Sequence, residues 1–265
     1  MRRQIALTLT LATLLAACAS TDDSTEPATP STPSTPSTPS SGGSGGGTAA
    51  HTVTGVVLDA QGKPLPNARV WLRPALTTGL VEVHAGSDGR YTASSLIDVP
   101  YYAQAWTQIT YANKQFCMRL GMPNASDYDA FVPTAGAVRN FRWQLSGPIP
   151  GLDGAYFGGE IRLIGDGSYK QTDSVEVTLT PTAPLIDGSV GKTVVRRVGA
   201  YDFVTDVPVG QYTAAVSVIG RNGARTPLKV GPNSSAGLAT MPLAFAPSGC
   251  GNANGTERAF IFWGQ

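Results

Sequence analysis

From residue 51 onward, apolar side chains recur at every second position in short runs, which is the period of a half-buried β-strand. Val53, Gly55 and Val57 form one run, and Ala68, Val70 and Leu72 alternate with Arg69, Trp71 and Arg73 in another. Val81, Val83 and Ala85 make a third. Turn residues separate these runs. Asp59-Ala60-Gln61-Gly62 stands before Lys63-Pro64, and Gly86-Ser87-Asp88-Gly89 reads as a hairpin signal ahead of Tyr91. No stretch carries the 3.6-residue period of an amphipathic helix, so the pattern predicts an all-β chain.

A second, weaker copy of the pattern lies downstream. Val175, Val177 and Leu179 alternate as a core strand ending at Thr180-Pro181. Gly199-Ala200-Tyr201 followed by Asp206-Val207-Pro208 echoes Gly89-Arg90-Tyr91 followed by Asp98-Val99-Pro100. Closing strands are expected at Val138, Phe141, Trp143 and Leu145 in the first copy. In the second they are expected at Leu238, Met241, Leu243 and Phe245. Residues 112–137 match neither copy and read as a long loop or insertion. The boundary between copies falls near Gly147-Pro148-Ile149-Pro150-Gly151, and its shortness predicts packed neighbours.

The residues of the first copy carry a resemblance. Gly55-x-Val57-x-Asp59-x-x-Gly62-x-Pro64-Leu65-x-Asn67-Ala68-x-Val70, with Ser87-Asp88-Gly89-Arg90-Tyr91 after it, resembles the carboxypeptidase regulatory-like domain over residues 52–98. That resemblance implies a transthyretin-like (prealbumin-like) sandwich. Where the family continues Pro-x-Gly-x-Tyr, this copy reads Asp98-Val99-Pro100-Tyr101-Tyr102, so the motif does not define its penultimate strand; the second copy keeps the step as Pro208-Val209-Gly210-Gln211-Tyr212. The expected fold is two Greek-key, transthyretin-like or Ig-like β-sandwiches in tandem, at residues 51–147 and 148–265.

The N-terminus gives an address. Arg2 and Arg3 precede an apolar stretch at residues 5–15, shorter than the ~20 residues a spanning helix needs. It ends Leu15-Ala16-Ala17-Cys18, which looks like a bacterial lipobox: a signal peptide at 1–17, then lipidation of Cys18. Ordinary secretion with an incidental cysteine is the plainer alternative. Ala19, rather than an aspartate, follows Cys18, and by resemblance to such lipoproteins this favours the outer membrane or cell surface. Residues 19–50 contain no large apolar side chain; Pro27 to Ser40 repeats Ser-Thr-Pro and Gly42 to Gly47 is nearly pure glycine. They read as a disordered linker that cannot offset its own ordering entropy. Gly42-Gly43-Ser44-Gly45-Gly46 matches a hydrolase nucleophile pattern, but that pattern needs a strand before it and a helix after it.

A net charge of +1 gives no electrostatic reason to expect nucleic acid as partner. The chain has two histidines, His51 and His84, and no zinc, phosphate-loop or dinucleotide motif. No catalytic residue, metal site or cofactor is therefore assigned. Asp59, Asp88, Asp166 and Asp173 sit near turns, where local side-chain-to-backbone hydrogen bonds explain them better than calcium does. With Cys18 lipidated, Cys117 and Cys250 are the remaining thiols in an oxidising compartment. A disulfide between them is expected, two buried free thiols being the alternative. It would tie the C-terminal segment, with its apolar run at residues 259–263, back to the long loop of the first unit.

Trp71 falls on the face opposite Val70 and Leu72, and Tyr102 and Trp106 share a face of a later strand. Together they could form an aromatic platform for a sugar; the alternative is that Trp71 packs under the long loop or against the second sandwich. The sequence thus predicts a non-catalytic envelope lipoprotein, held to a membrane by its lipid, with a structural or interaction role. Carbohydrate binding and service as a hydrolase accessory remain open, and an envelope protein or glycan is the expected partner.

Overall fold

The computed structural model describes residues 48–170 and 173–265, and these fold as β-sandwiches. Cys18, the signal peptide and the linker up to residue 47 lie outside the described residues. The first sandwich comprises β1 (Val53–Leu58), β2 (Arg69–Pro74), β3 (Val81–His84), β4 (Arg90–Ala93), β5 (Tyr101–Tyr111), β6 (Lys114–Leu120), β7 (Ala137–Val138) and β8 (Phe141–Arg142). One sheet runs β4-β1-β7 with β8 also on β1, and the other runs β3-β2-β5-β6. The second sandwich comprises β9 (Gly159–Gly165), β10 (Ser174–Pro181), β11 (Val194–Gly199), β12 (Phe203–Val207), β13 (Gln211–Ile219), β14 (Arg225–Pro227), β15 (Lys229–Gly231), β16 (Met241–Ala244) and β17 (Ala259–Gly264). Its sheets run β12-β9-β17-β15 and β11-β10-β13-β14, with β16 also on β13.

The two sandwiches share a topology. In each, the first strand pairs antiparallel with the fourth and parallel with a closing strand: β1 with β4 and β7–β8, β9 with β12 and β17. In each, the other sheet places the second strand between the third and the fifth. The alternation seen in the sequence is the alternation of burial. Val53, Val57, Ala68, Val70 and Leu72 are fully buried in the first core, as are Val175, Val177 and Leu179 in the second. Gly55 also lies on the inward period, and it is glycine there because any side chain would collide with the Arg139 carbonyl and the Tyr91 ring. That close approach lets Tyr91 Oη donate to Arg139 O at 2.6 Å, joining β4 to the closing segment.

Several expectations are corrected. The Gly86–Gly89 turn forms, but β3 and β4 belong to different sheets, so it carries the chain across the core instead of closing a hairpin. Residues 112–137 are not all loop. Lys114–Leu120 is the edge strand β6, joined to β5 by Ala112 and Asn113, both with positive φ. Alanine there gives no hairpin signal of the Asn-Gly kind, which hides the strand in the sequence. Met241–Ala244 does not close the second sandwich; it pairs with β13 on the opposite sheet. The closing strand is Ala259–Gly264, paired parallel with β9, so the apolar run at 259–263 is core of the second sandwich.

The departure from Pro-x-Gly-x-Tyr also has a structural counterpart. In the second sandwich Tyr212 is buried, and its hydroxyl donates to Pro208 O at 2.6 Å, fixing the entry into β13. In the first, Tyr102 points to solvent and β5 starts directly after Pro100. The four turn aspartates each accept a local backbone N–H: Asp59 from Lys63, Asp88 from Arg90, Asp166 from Ser168 and Asp173 from Lys170. His51 pairs with Asp98 and His84 with Glu82, both at the surface.

Candidate functional site

The outer face of the β3-β2-β5-β6 sheet collects the residues singled out for binding. Trp71 on β2 stands opposite Gln104 on β5, with Trp106 opposite Arg69 and Tyr102 opposite Arg73. The strand period therefore does place Trp71, Tyr102 and Trp106 on one face. That face is not an open platform. Trp71 is 7% exposed and Trp106 0% exposed, and only Tyr102, at 45%, meets solvent.

The cover comes from the second sandwich. Residues 246–258, between β16 and β17, fold back over β6 and β2. Cys250 is bonded to Cys117 of β6 with a Cα–Cα separation of 5.1 Å. Gly251 sits against the Trp71 ring, and Gly255 presses on the Cys117 carbonyl with φ +96°, where a Cβ has no room. Arg119 N donates to Asn254 O at 3.2 Å, which extends the seam along β6. The expected disulfide exists, with one difference: Cys117 lies in a strand, not in the long loop, and the bond links the two sandwiches to each other.

Beneath this cover the two indoles meet with centroids 5.7 Å apart, tilted by 48°. Trp71 Nε1 donates to Glu82 Oε2 at 2.8 Å. Arg73 lies 5.0 Å over the Trp71 ring and Arg119 lies 5.7 Å over Trp106. Burial draws the Arg119 guanidinium below its ordinary value. The aromatic residues thus form a small second core, held by the disulfide and roofed by charged stems. The packing alternative for Trp71 is the one the structure adopts, with the second sandwich supplying the cover. No pattern in residues 246–258 predicts this; the pair of cysteines was the one signal.

A cleft of about 280 Å³ lies in the second sandwich, where residues 153–160, β12 and residues 253–258 converge. Asp153, Glu160, Asp206 and Glu257 give it an acidic lining. Two of these carboxylates are occupied structurally. Glu160 pairs with Arg258, and Asp206, at φ +57° in the β12 bulge, accepts from Gly147 N and Gly158 N. Asp206 thereby pins both ends of the connection between the sandwiches. Among the described residues no three His, Cys, Asp or Glu side chains are grouped to hold a metal ion, and no helix is long and apolar enough to cross a membrane. Both histidines lie in the first sandwich, away from this cleft.

The fold defines a two-sandwich β-protein built from one repeated topology. No family model matches the chain, and no curated protein matches its sequence. Among solved structures it is similar to the Bacillus anthracis TIE protein, with 12% identity and a TM-score of 0.31 over 82% of this chain. It is also similar to a streptococcal ancillary pilin, with 8% identity and a TM-score of 0.26 over 82% of this chain. A DUF3823 family protein from Bacteroides ovatus is 13% identical over 67% of this chain and 94% of its own, with a TM-score of 0.23. The chain spans about 34% of the first of these structures and 63% of the second.

Proposed function

We propose that this chain is a lipid-anchored protein of the bacterial cell envelope, in which two disulfide-joined sandwiches serve as a non-catalytic structural or interaction module. The observation that carries the proposal is the Cys117–Cys250 bond between sandwiches. Such bonds persist in oxidising compartments, which is where the Leu15-Ala16-Ala17-Cys18 signal would deliver the chain. The surface that would have served a sugar is spent on joining the two units. Three acyl chains on Cys18, as bacterial lipoproteins of this type carry, would hold the protein durably, because stable anchoring needs two or more. The test is growth with labelled fatty acid: the wild type is expected to incorporate label, and Cys18→Ser to lose both label and membrane association. Unlabelled wild-type protein recovered in the soluble envelope fraction would overturn the proposal.

A further inference from the structure

The two ends of the first sandwich differ in chemistry. One end meets the second sandwich: Tyr111 Oη donates to Pro184 O at 2.8 Å, and Gln61 reaches Asp187 in the same region. The other end is where the chain enters. Thr48 and Ala49 lie against Gly136, His51 N donates to Pro133 O, and Leu96 N donates to His51 O. The loop after β2 joins this end through Ala75 N to Pro100 O, and the segment before β7 joins it through the Tyr101–Phe131 bridge.

The exposed large hydrophobic side chains of the first sandwich collect at this entry end: Leu76, Leu80, Ile97, Tyr102, Val132 and Val138. Leu76 is 79% exposed and Ile97 65% exposed, on neighbouring loop tips. Leaving such side chains in water is costly for a monomer, and a cluster of them marks a contact surface. The loops that carry Leu76, Leu80, Ile97 and Val132, residues 75–80, 94–100 and 129–136, contain no lysine or arginine, while Tyr102 and Val138 lie on β5 and β7. Asp98 is paired with His51, Asp129 is exposed, and Thr77, Thr78, Ser94, Ser95 and Thr134 supply the polar remainder.

We infer that this end of the first sandwich rests on the lipid bilayer, with Leu76, Leu80, Ile97 and Val132 inserted at the headgroup–acyl boundary. The inference rests on the anchored reading above. Aliphatic tips on separate loops, with hydroxyls between them and a tyrosine at the rim, suit an interface that is apolar below and wet above. A protein partner would favour a continuous surface rich in aromatic residues and arginine, whereas these three loops hold one aromatic residue, Phe131, and no arginine. Thirty positions separate Cys18 from Thr48 at this same end. Anchoring makes the second contact intramolecular, so weak insertion by a few side chains suffices.

The experiment uses the full-length chain, with bimane on Leu76→Cys or Ile97→Cys, in phosphatidylethanolamine–phosphatidylglycerol vesicles with brominated acyl chains. Val190→Cys is the control, equally apolar and 89% exposed, but on the second sandwich. Labels at 76 and 97 are expected to shift to the blue and lose intensity to the bromines, while the label at 190 does neither. Introducing Asp at both 76 and 97 should release a label placed at Val132→Cys from quenching. Equal, absent quenching at 76, 97 and 190 in protein that carries fatty acid on Cys18 overturns the inference. Shielding that appears only when envelope proteins are added also overturns it, in favour of a protein partner. Mass spectrometry of the same preparation reports the lipid, so failure of the anchor is seen separately. In protein without lipid, quenching at 76 on raising vesicle concentration upholds the surface, and its absence at all concentrations removes it.

Discussion

Trp71 donates its indole hydrogen to Glu82, packs against Trp106 and lies under Gly251. A side chain so placed contributes through buried area, and truncating it leaves a cavity the disulfide-held loop cannot collapse into. Trp71→Ala is therefore expected to cost about 3–5 kcal/mol of unfolding free energy. Urea denaturation checks this, and a loss no larger than that of an exposed substitution would show that the indole is not part of a packed core. Tyr102→Ala, on the same face but in solvent, should change stability little. The contrast separates the two roles that the sequence period alone assigned to one platform.

At the scale of strands, Glu176 joins three elements with one carboxylate. It sits on β10, accepts two hydrogen bonds from Arg225 of β14 at 2.6 and 2.9 Å, and one from Arg197 of β11 at 3.1 Å. Arg225 first, and Arg197 after it, hold the carboxyl at about 2 against an ordinary value of 4.5. A depressed carboxylate stabilises the fold above its unfolded value and ceases to do so as pH falls toward its folded one. Stability should thus decline between about pH 4.5 and pH 2, and Glu176→Gln should flatten that part of the profile. Because Arg197 and Arg225 reach solvent, the effect should shrink in high salt, and thermal melts at several pH values in low and high salt would show both. The elements themselves were legible where a strand alternates and has strong turn residues at its ends. β6 and β17 were not: one follows an Ala-Asn turn without glycine, and the other is a short apolar run whose partner, β9, lies about a hundred positions upstream.

Across the whole molecule, the disulfide closes a separation of 133 positions and crosses from one sandwich to the other. In the chain-entropy model, loss of such a closure removes about 5 kcal/mol. The larger consequence is cooperative: residues 246–258 and the Trp71–Trp106 core are shared by both sandwiches, so the intact protein should melt as one unit. Cys117→Ser with Cys250→Ser should lower the melting temperature and split a single calorimetric transition into two. Intact mass after alkylation without reduction should show neither Cys117 nor Cys250 modified in the wild type. Two alkylated thiols in the folded wild type would remove the bond and the single-unit picture with it.

The sequence by itself determined the β class, the repeated pattern and the inward-facing residues, because strand alternation and turn chemistry are local and act within a few residues. It also supplied the disulfide partners, since only Cys117 and Cys250 follow Cys18. Tertiary structure alone decided which face of the first sandwich is closed. Trp71 has the same period and the same flanking arginines whether water, sugar or protein lies above it; the cover comes from residues about 180 positions away, with no periodic signal of their own. It also decided which strand closes the second sandwich, because Met241–Ala244 and Ala259–Gly264 are both short apolar runs. Only their distant partners, β13 in one sheet and β9 in the other, tell them apart.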